Sequence, residues 1–142
     1  MANSLTFTSE PFMVLTGLTS GNTTTATNYT ILPVDNTNHR RLYSLSVTTS
    51  DNAINNVQFT FSSVTASVVV AKLPISISAG TSTTTATYDV LGSSIMVGVV
   101  KERDNTGTPF LHIPTGTTIV AQYQSALSAN EFINFVLGGQ KY

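Results

Sequence analysis

The chain has no cysteine and no tryptophan, and charge is scarce: six Lys/Arg and seven Asp/Glu among 142 residues. The missing cysteines exclude disulfides, thiolate metal sites and cysteine nucleophiles together, and they leave the redox compartment open. A net charge of −1 supplies no broad field to attract nucleic acid or an anionic membrane, so neither is expected as a partner. No eighteen apolar residues run together, so no membrane-spanning helix is expected. The opening Met1-Ala2-Asn3-Ser4-Leu5 lacks a basic segment leading into an apolar run. It reads as carrying no secretory signal, which implies synthesis in a cytoplasm.

What is present is hydroxyl. Twenty-four residues are threonine and sixteen are serine. Threonine is β-branched and favours extended backbone, where its methyl packs on a pleated face and its hydroxyl meets water or a cross-strand partner. Period-two alternation follows in Tyr43-Ser44-Leu45-Ser46-Val47-Thr48, placing Tyr43, Leu45 and Val47 on one face, and again in Val57-Gln58-Phe59-Thr60-Phe61-Ser62. Ile75 and Ile77, then Ala86, Tyr88 and Val90, then Ile119, Ala121 and Tyr123 repeat the device. Two denser runs, Val68-Val69-Val70-Ala71 and Ile95-Met96-Val97-Gly98-Val99-Val100, are expected to be buried on both faces or to lie at a subunit contact.

Turn signals separate these runs: Ser20-Gly21-Asn22, Asp35-Asn36-Thr37-Asn38, Ser50-Asp51-Asn52, Ala79-Gly80, Asp104-Asn105-Thr106-Gly107 and Pro114-Thr115-Gly116. About nine or ten strands result, in an all-β, single antiparallel β-sandwich of jelly-roll or immunoglobulin-like type, with at most a helical turn over residues 125–131. Residues 1–20 read as an N-terminal arm or first strand and residues 21–142 as the sandwich. The string Thr-Thr-Thr-Ala-Thr at 23–27 and 83–87 reads as shared strand composition rather than duplication.

Catalytic and metal signatures are sparse. Neither His39 nor His112 has a histidine or carboxylate at ligand spacing, so no metal site is expected. His112, between Leu111 and Ile113, reads as a side chain on the solvent or interface side of a strand. No Gly-x-Ser-x-Gly elbow occurs, and Glu10, Glu102 and Glu131 lie in turn-like or charged surroundings. Leu137-Gly138-Gly139-Gln140 lacks the lysine of a phosphate loop. No enzyme activity and no cofactor is expected. Arg40-Arg41 is the only adjacent basic pair; beside His39 it reads either as an exposed loop pair or as a clamp for a partner's carboxylate.

Two segments carry a resemblance. They are Arg41-Leu42-Tyr43-Ser44-Leu45-Ser46-Val47-Thr48-Thr49 and the run from Asp104-Asn105-Thr106-Gly107 through Phe110-Leu111-His112-Ile113 to Gly116-Thr117-Thr118-Ile119. With the strand at Ile119 to Tyr123 and the ending Gly138-Gly139-Gln140-Lys141-Tyr142, this order resembles small head proteins of tailed bacteriophages. The resemblance spans Arg41 onward and implies a capsid decoration, or cement, protein. Such a protein is made in the host cytoplasm, located on the outside of the virion, commonly trimeric, and bound to the major capsid protein. Leu5, Phe7, Phe12 and Met13 in the first segment, with Arg40 and Arg41, are the candidate interface residues.

The competing reading is a receptor- or carbohydrate-binding sandwich of a fibre or tail tip, with Tyr29, Tyr43, Tyr88, Tyr123 or Tyr142 stacking on sugar rings. A third is a tail-tube or head-completion protein, which requires a ring.

Overall fold

The computed structural model of the protein describes residues 9–20, 27–92 and 101–142. These residues form ten strands: β1 (Glu10–Thr19), β2 (Asn28–Leu32), β3 (Arg40–Thr49), β4 (Asn55–Ser62), β5 (Ser67–Ile75), β6 (Tyr88–Asp89), β7 (Glu102–Arg103), β8 (Pro109–Ile113), β9 (Thr118–Tyr123) and β10 (Phe132–Lys141). There is no α-helix among them; residues 125–131 form bends and a turn. The fold is all-β, as the threonine content and the alternation require. Leu5, Phe7, most of the first Thr-Thr-Thr-Ala-Thr string and the dense run at residues 95–100 lie outside the described residues.

The strands make two antiparallel sheets. The first runs β1-β10-β3-β8-β7, with β6 also on β3; the second runs β2-β9-β4-β5. Partners are nested along the chain: β1 with β10, β2 with β9, β3 with β8, β4 with β5. The chain therefore folds back on itself about the β4–β5 hairpin, and successive pairs alternate between the sheets, an arrangement compatible with a β-sandwich.

Alternation decides what is buried. Leu45 and Val47 of β3 and Ile133, Phe135 and Leu137 of β10 point inward from the first sheet. Val57 and Phe59 of β4, Leu73 and Ile75 of β5, and Ile119, Ala121 and Tyr123 of β9 do so from the second. All belong to one buried cluster. The Phe59 and Phe135 rings meet edge to face, with centroids 6.1 Å apart, and so tie the two sheets together.

Three expectations change. Residues 68–71 are not a strand buried on both faces: β5 is the outer strand of its sheet, and Val68 and Val69 are exposed. A continuous apolar run cannot by itself distinguish a central strand from an apolar edge. Ile77, expected to pair with Ile75 on one face, lies in the turn after β5 and is exposed.

The third concerns Tyr43. Ser44 pairs with Gly138 and Leu42 with Gly139, leaving Tyr43 as an extra residue in a β-bulge. Arg40 and Leu42 face inward before it, and Leu45, Val47 and Thr49 after it. Tyr43 therefore parts company with Leu45 and Val47 and stands on the outer side, where its hydroxyl donates to Asp104 at 3.0 Å. Opposite the bulge, a Cβ on Gly139 would sit inside contact distance of the Arg41 carbonyl and 2.9 Å from two carbons of the Phe12 ring.

The turn signals within the described residues lie in the connections between strands, and Gly21 and Asn22 of the first signal lie outside them. Asp35 accepts from the Thr37 and Asn38 amides at 2.9 Å, and Asp104 from those of Thr106 and Thr108 at 2.9 Å. These bonds hold both carboxyls down, to about 2; the Asn38 side-chain amide leads for Asp35 and the Thr106 hydroxyl for Asp104. Asp51, after β3, is wholly buried. It accepts from the Ser128 amide (3.0 Å), the Ser128 hydroxyl (2.8 Å) and the Ala53 amide (2.9 Å), so it fastens the β3–β4 connection to the segment before β10. Burial acts to raise its pKa, but these hydrogen bonds outweigh burial and lower it.

Gly139→Ala is expected to cost several kcal/mol, on the order of 3, in urea unfolding, because neither the Arg41 backbone nor the Phe12 ring can yield without breaking the bulge. Since the folded-state pKa of Asp51 is depressed, its contribution is present above the ordinary carboxylate pKa near 3.8 and is lost as pH falls through the lower folded value. Unfolding midpoints should therefore drop below about pH 4. Asp51→Asn should lower stability by roughly 2 kcal/mol at pH 7 and reduce that acid-dependent loss.

Candidate functional site

The outer faces of the two sheets differ in kind. On the second, Asn28, Gln122, Gln58 and Lys72 lie in one cross-strand row. The Gln122 amide donates to the Asn28 side chain at 3.1 Å, and the next row is Thr30, Val120, Thr60 and Val69. That face mixes amides, hydroxyls and a lysine with two valines, of which Val69 is exposed.

The outer face of the first sheet carries apolar side chains among glycines, hydroxyls and an amide. Its rows, read across β1, β10 and β3, are Gly17, Asn134 and Thr48; Leu15, Val136 and Ser46; Met13, Gly138 and Ser44. Met13 and Leu15 are 69% and 66% exposed. Beside them stand hydroxyls and glycines, so no tall polar side chain shields the two apolar ones. A shallow depression of about 290 Å³ opens among Leu15, Gly17, Thr48, Asn134 and Val136.

The next row brings Pro11, Gln140, Arg41 and His112 together. The Arg41 guanidinium lies between two rings, 4.8 Å from the Phe110 centroid and 4.9 Å from that of Tyr142. Cation–π contacts of this kind contribute about 0.5–1 kcal/mol each. Its Nε is buried with no hydrogen-bond partner. The nearby Tyr142 and Tyr43 phenols raise its pKa further. Tyr142 stacks on His39 (6.1 Å, 27°), and His39 Nδ1 lies 3.2 Å from His112 Nε2. Ser9, Arg41, Gln140 and Tyr142 line a cleft of about 330 Å³.

Strand alternation thus divides the expected interface residues. Met13 and Arg41 point outward. Phe12 points inward, packs against the core and fills the space over Gly139. Arg40 is only 5% exposed, and its Nη1 and Nη2 donate to the Pro33 and Thr117 carbonyls, each at 2.7 Å. Burial lowers its pKa and the Asp35 charge opposes the shift. The adjacent arginines are neither a loop pair nor a joint clamp: both are in β3, and one is a structural tie. Residues 10–19 are the first strand, paired along their whole length with β10.

Sequence reasoning missed the His39–His112 pair, because 73 residues separate the two and no spacing rule connects them. Among the described residues no group of three or more His, Asp or Glu could hold a metal ion, and no helix is long and apolar enough to cross a membrane. The tyrosines are poor sugar platforms. Tyr123 is fully buried beside Tyr29, and burial pushes its phenol pKa up; Tyr29, Tyr43, Tyr88 and Tyr142 are each half-buried.

Arg40→Ala should cost about 3 kcal/mol in urea unfolding, since two carbonyls lose a charged donor. Arg41→Ala, which forfeits ring contacts only, should cost about 1 kcal/mol or less.

The chain matches no protein-family model and no curated protein sequence.

Proposed function

We propose that this protein is a structural virion component, a decoration protein that lies on the outside of a bacteriophage capsid and stabilises it. The observation that carries the reading is the inequality of the two outer faces. A protein that lies on a shell needs one flat, weakly charged face for the shell and one hydrated face for solvent. The first sheet offers the long apolar side chains Met13 and Leu15, with Val136, among glycines, hydroxyls and an amide, and the second offers amides, hydroxyls and a lysine with the shorter Val69 and Val120. Interface centres favour Met, aromatic residues and Arg and are poor in Lys, Glu and Asp, which describes the face that runs from Leu15 to Arg41 and Tyr142.

Three further points support it. The nested strand pairing is compatible with the winding of a jelly roll, an architecture found in viral shell domains, although fold alone does not assign function. The order of segments from Arg41 onward resembles small phage head proteins. Hydroxyls and amides hydrate the surface of a protein that is added after shell assembly, while its affinity comes from modest contacts repeated on a lattice. Assembly as a homotrimer belongs to the same proposal. The carbohydrate-binding alternative draws less support, because its stacking residues are engaged in packing.

Mixing the purified protein with expanded, undecorated heads tests this directly. Sedimentation should show saturable binding at a fixed ratio to the major capsid protein, and light scattering should give a small oligomer. Met13→Asp combined with Leu15→Asp should weaken head binding at least tenfold, about 1.4 kcal/mol, with stability changed by only about 0.5 kcal/mol. Absence of saturable binding by the native protein would reject the proposal.

A further inference from the structure

Arg41, on the outer face of the first sheet, has no Asp or Glu partner among the described residues. Among the described residues the only ion pair is Lys141 with Glu10, at 2.9 Å. All seven Asp and Glu residues are described. Asp35, Asp51, Asp104 and Glu131 hydrogen-bond to their own turns or neighbouring hydroxyls, and Asp89 accepts from the Gly92 amide. Glu102 stands exposed on β7. None of them pairs with Arg41. The guanidinium is nonetheless costly to hold in place, being clamped between Phe110 and Tyr142 with its Nε buried and unpartnered. A side chain fixed by two rings loses little further freedom when it binds, and its planar fork matches a carboxylate.

The surroundings select the class of ligand. The cleft beside Arg41 adds the Gln140 amide and the Ser9 hydroxyl, both able to donate. A divalent metal on the His39–His112 pair is the competing idea, since the two nitrogens are 3.2 Å apart. It would place two positive charges beside an uncompensated guanidinium directly across the ladder from His112, with no carboxylate to offset them. An anion meets the opposite field. A single cation balances the one charge of a carboxylate and leaves a phosphate dianion half neutralised.

We propose that Arg41, with Gln140 and the rings of Phe110 and Tyr142, forms a carboxylate-binding site that takes an Asp or Glu side chain of the partner on which this face docks. The identity of that partner rests on the decoration reading. The site itself does not, and it can be tested on the isolated full-length chain.

The probe is the Arg41 Nε–H signal in ¹H–¹⁵N spectra, titrated with sodium acetate and with acetyl-Gly-Glu-Gly-amide against sodium chloride at equal ionic strength. Both carboxylates should give a saturable shift that chloride does not, with half-saturation at millimolar concentration. With Arg41→Lys or Tyr142→Leu, followed through the Gln140 side-chain amide, half-saturation should move at least fivefold higher; with Arg41→Gln the response should vanish. Thermal unfolding establishes that each variant is folded. On expanded heads, Arg41→Gln should weaken binding at least tenfold.

A carboxylate response without head binding keeps the site and rejects the capsid as its partner. Response to acetate but not to the peptide overturns the assignment to a protein side chain. No saturable response to either probe, or an equal response in Arg41→Gln, overturns the site.

Discussion

The bulge at Tyr43 is the constraint on which the functional face depends. A strand of strict alternation would put Arg41, Tyr43, Leu45 and Val47 on one side, so either the arginine would be buried or the core would lose its leucine and valine. One extra residue opposite Gly138 and Gly139 resolves the conflict. Before it, Arg40 and Leu42 point in and Arg41 points out. After it, Leu45 and Val47 point in and Ser44 and Ser46 point out. Gly139 permits this, because the space a side chain would need is taken by the Arg41 carbonyl and the Phe12 ring.

The same device explains why the two halves of the outer face differ. On one side of the bulge the side chains are short: serines and a threonine on β3, Gly138 on β10 and Gly17 on β1. On the other, Arg41, Tyr43, Phe110, His112 and Tyr142 crowd together, each ring or cation resting on the next. A row of exposed apolar side chains thus ends at a fixed positive charge. In the proposed docking role that row supplies area for adhesion and the charge sets register.

Beneath the face, the sheets are held by ordinary means. Phe59 and Phe135 meet across the interior, Asp51 fastens a connection from each half of the chain, and Arg40 ties β3 to the carbonyls of Pro33 and Thr117. Arg40 and Asp51 are both charged and buried; Arg40 donates through Nη1 and Nη2 to two backbone carbonyls, and Asp51 accepts from two amides and a hydroxyl, so removing either leaves buried polar groups unpaired, which is why their cost exceeds that of the half-buried Arg41.

Much of this was legible in the sequence. Threonine content and period two dictate strands, because β-branching and alternation are properties of the local chain. The Asp and Gly turn signals mark the turns, because a carboxylate that caps two nearby amides, or a residue at positive φ, needs no distant partner. Tertiary structure alone decided the rest. Whether Val68 and Val69 are central or edge depends on which strand β5 pairs with, and composition does not encode that. The facing of Arg40 against Arg41 and of Phe12 against Met13 depends on register, which a bulge resets. His39 and His112 meet only because β3 and β8 pair. Local chemistry fixes what a segment can become, and which side chains share a face is set by which segments long-range pairing brings side by side.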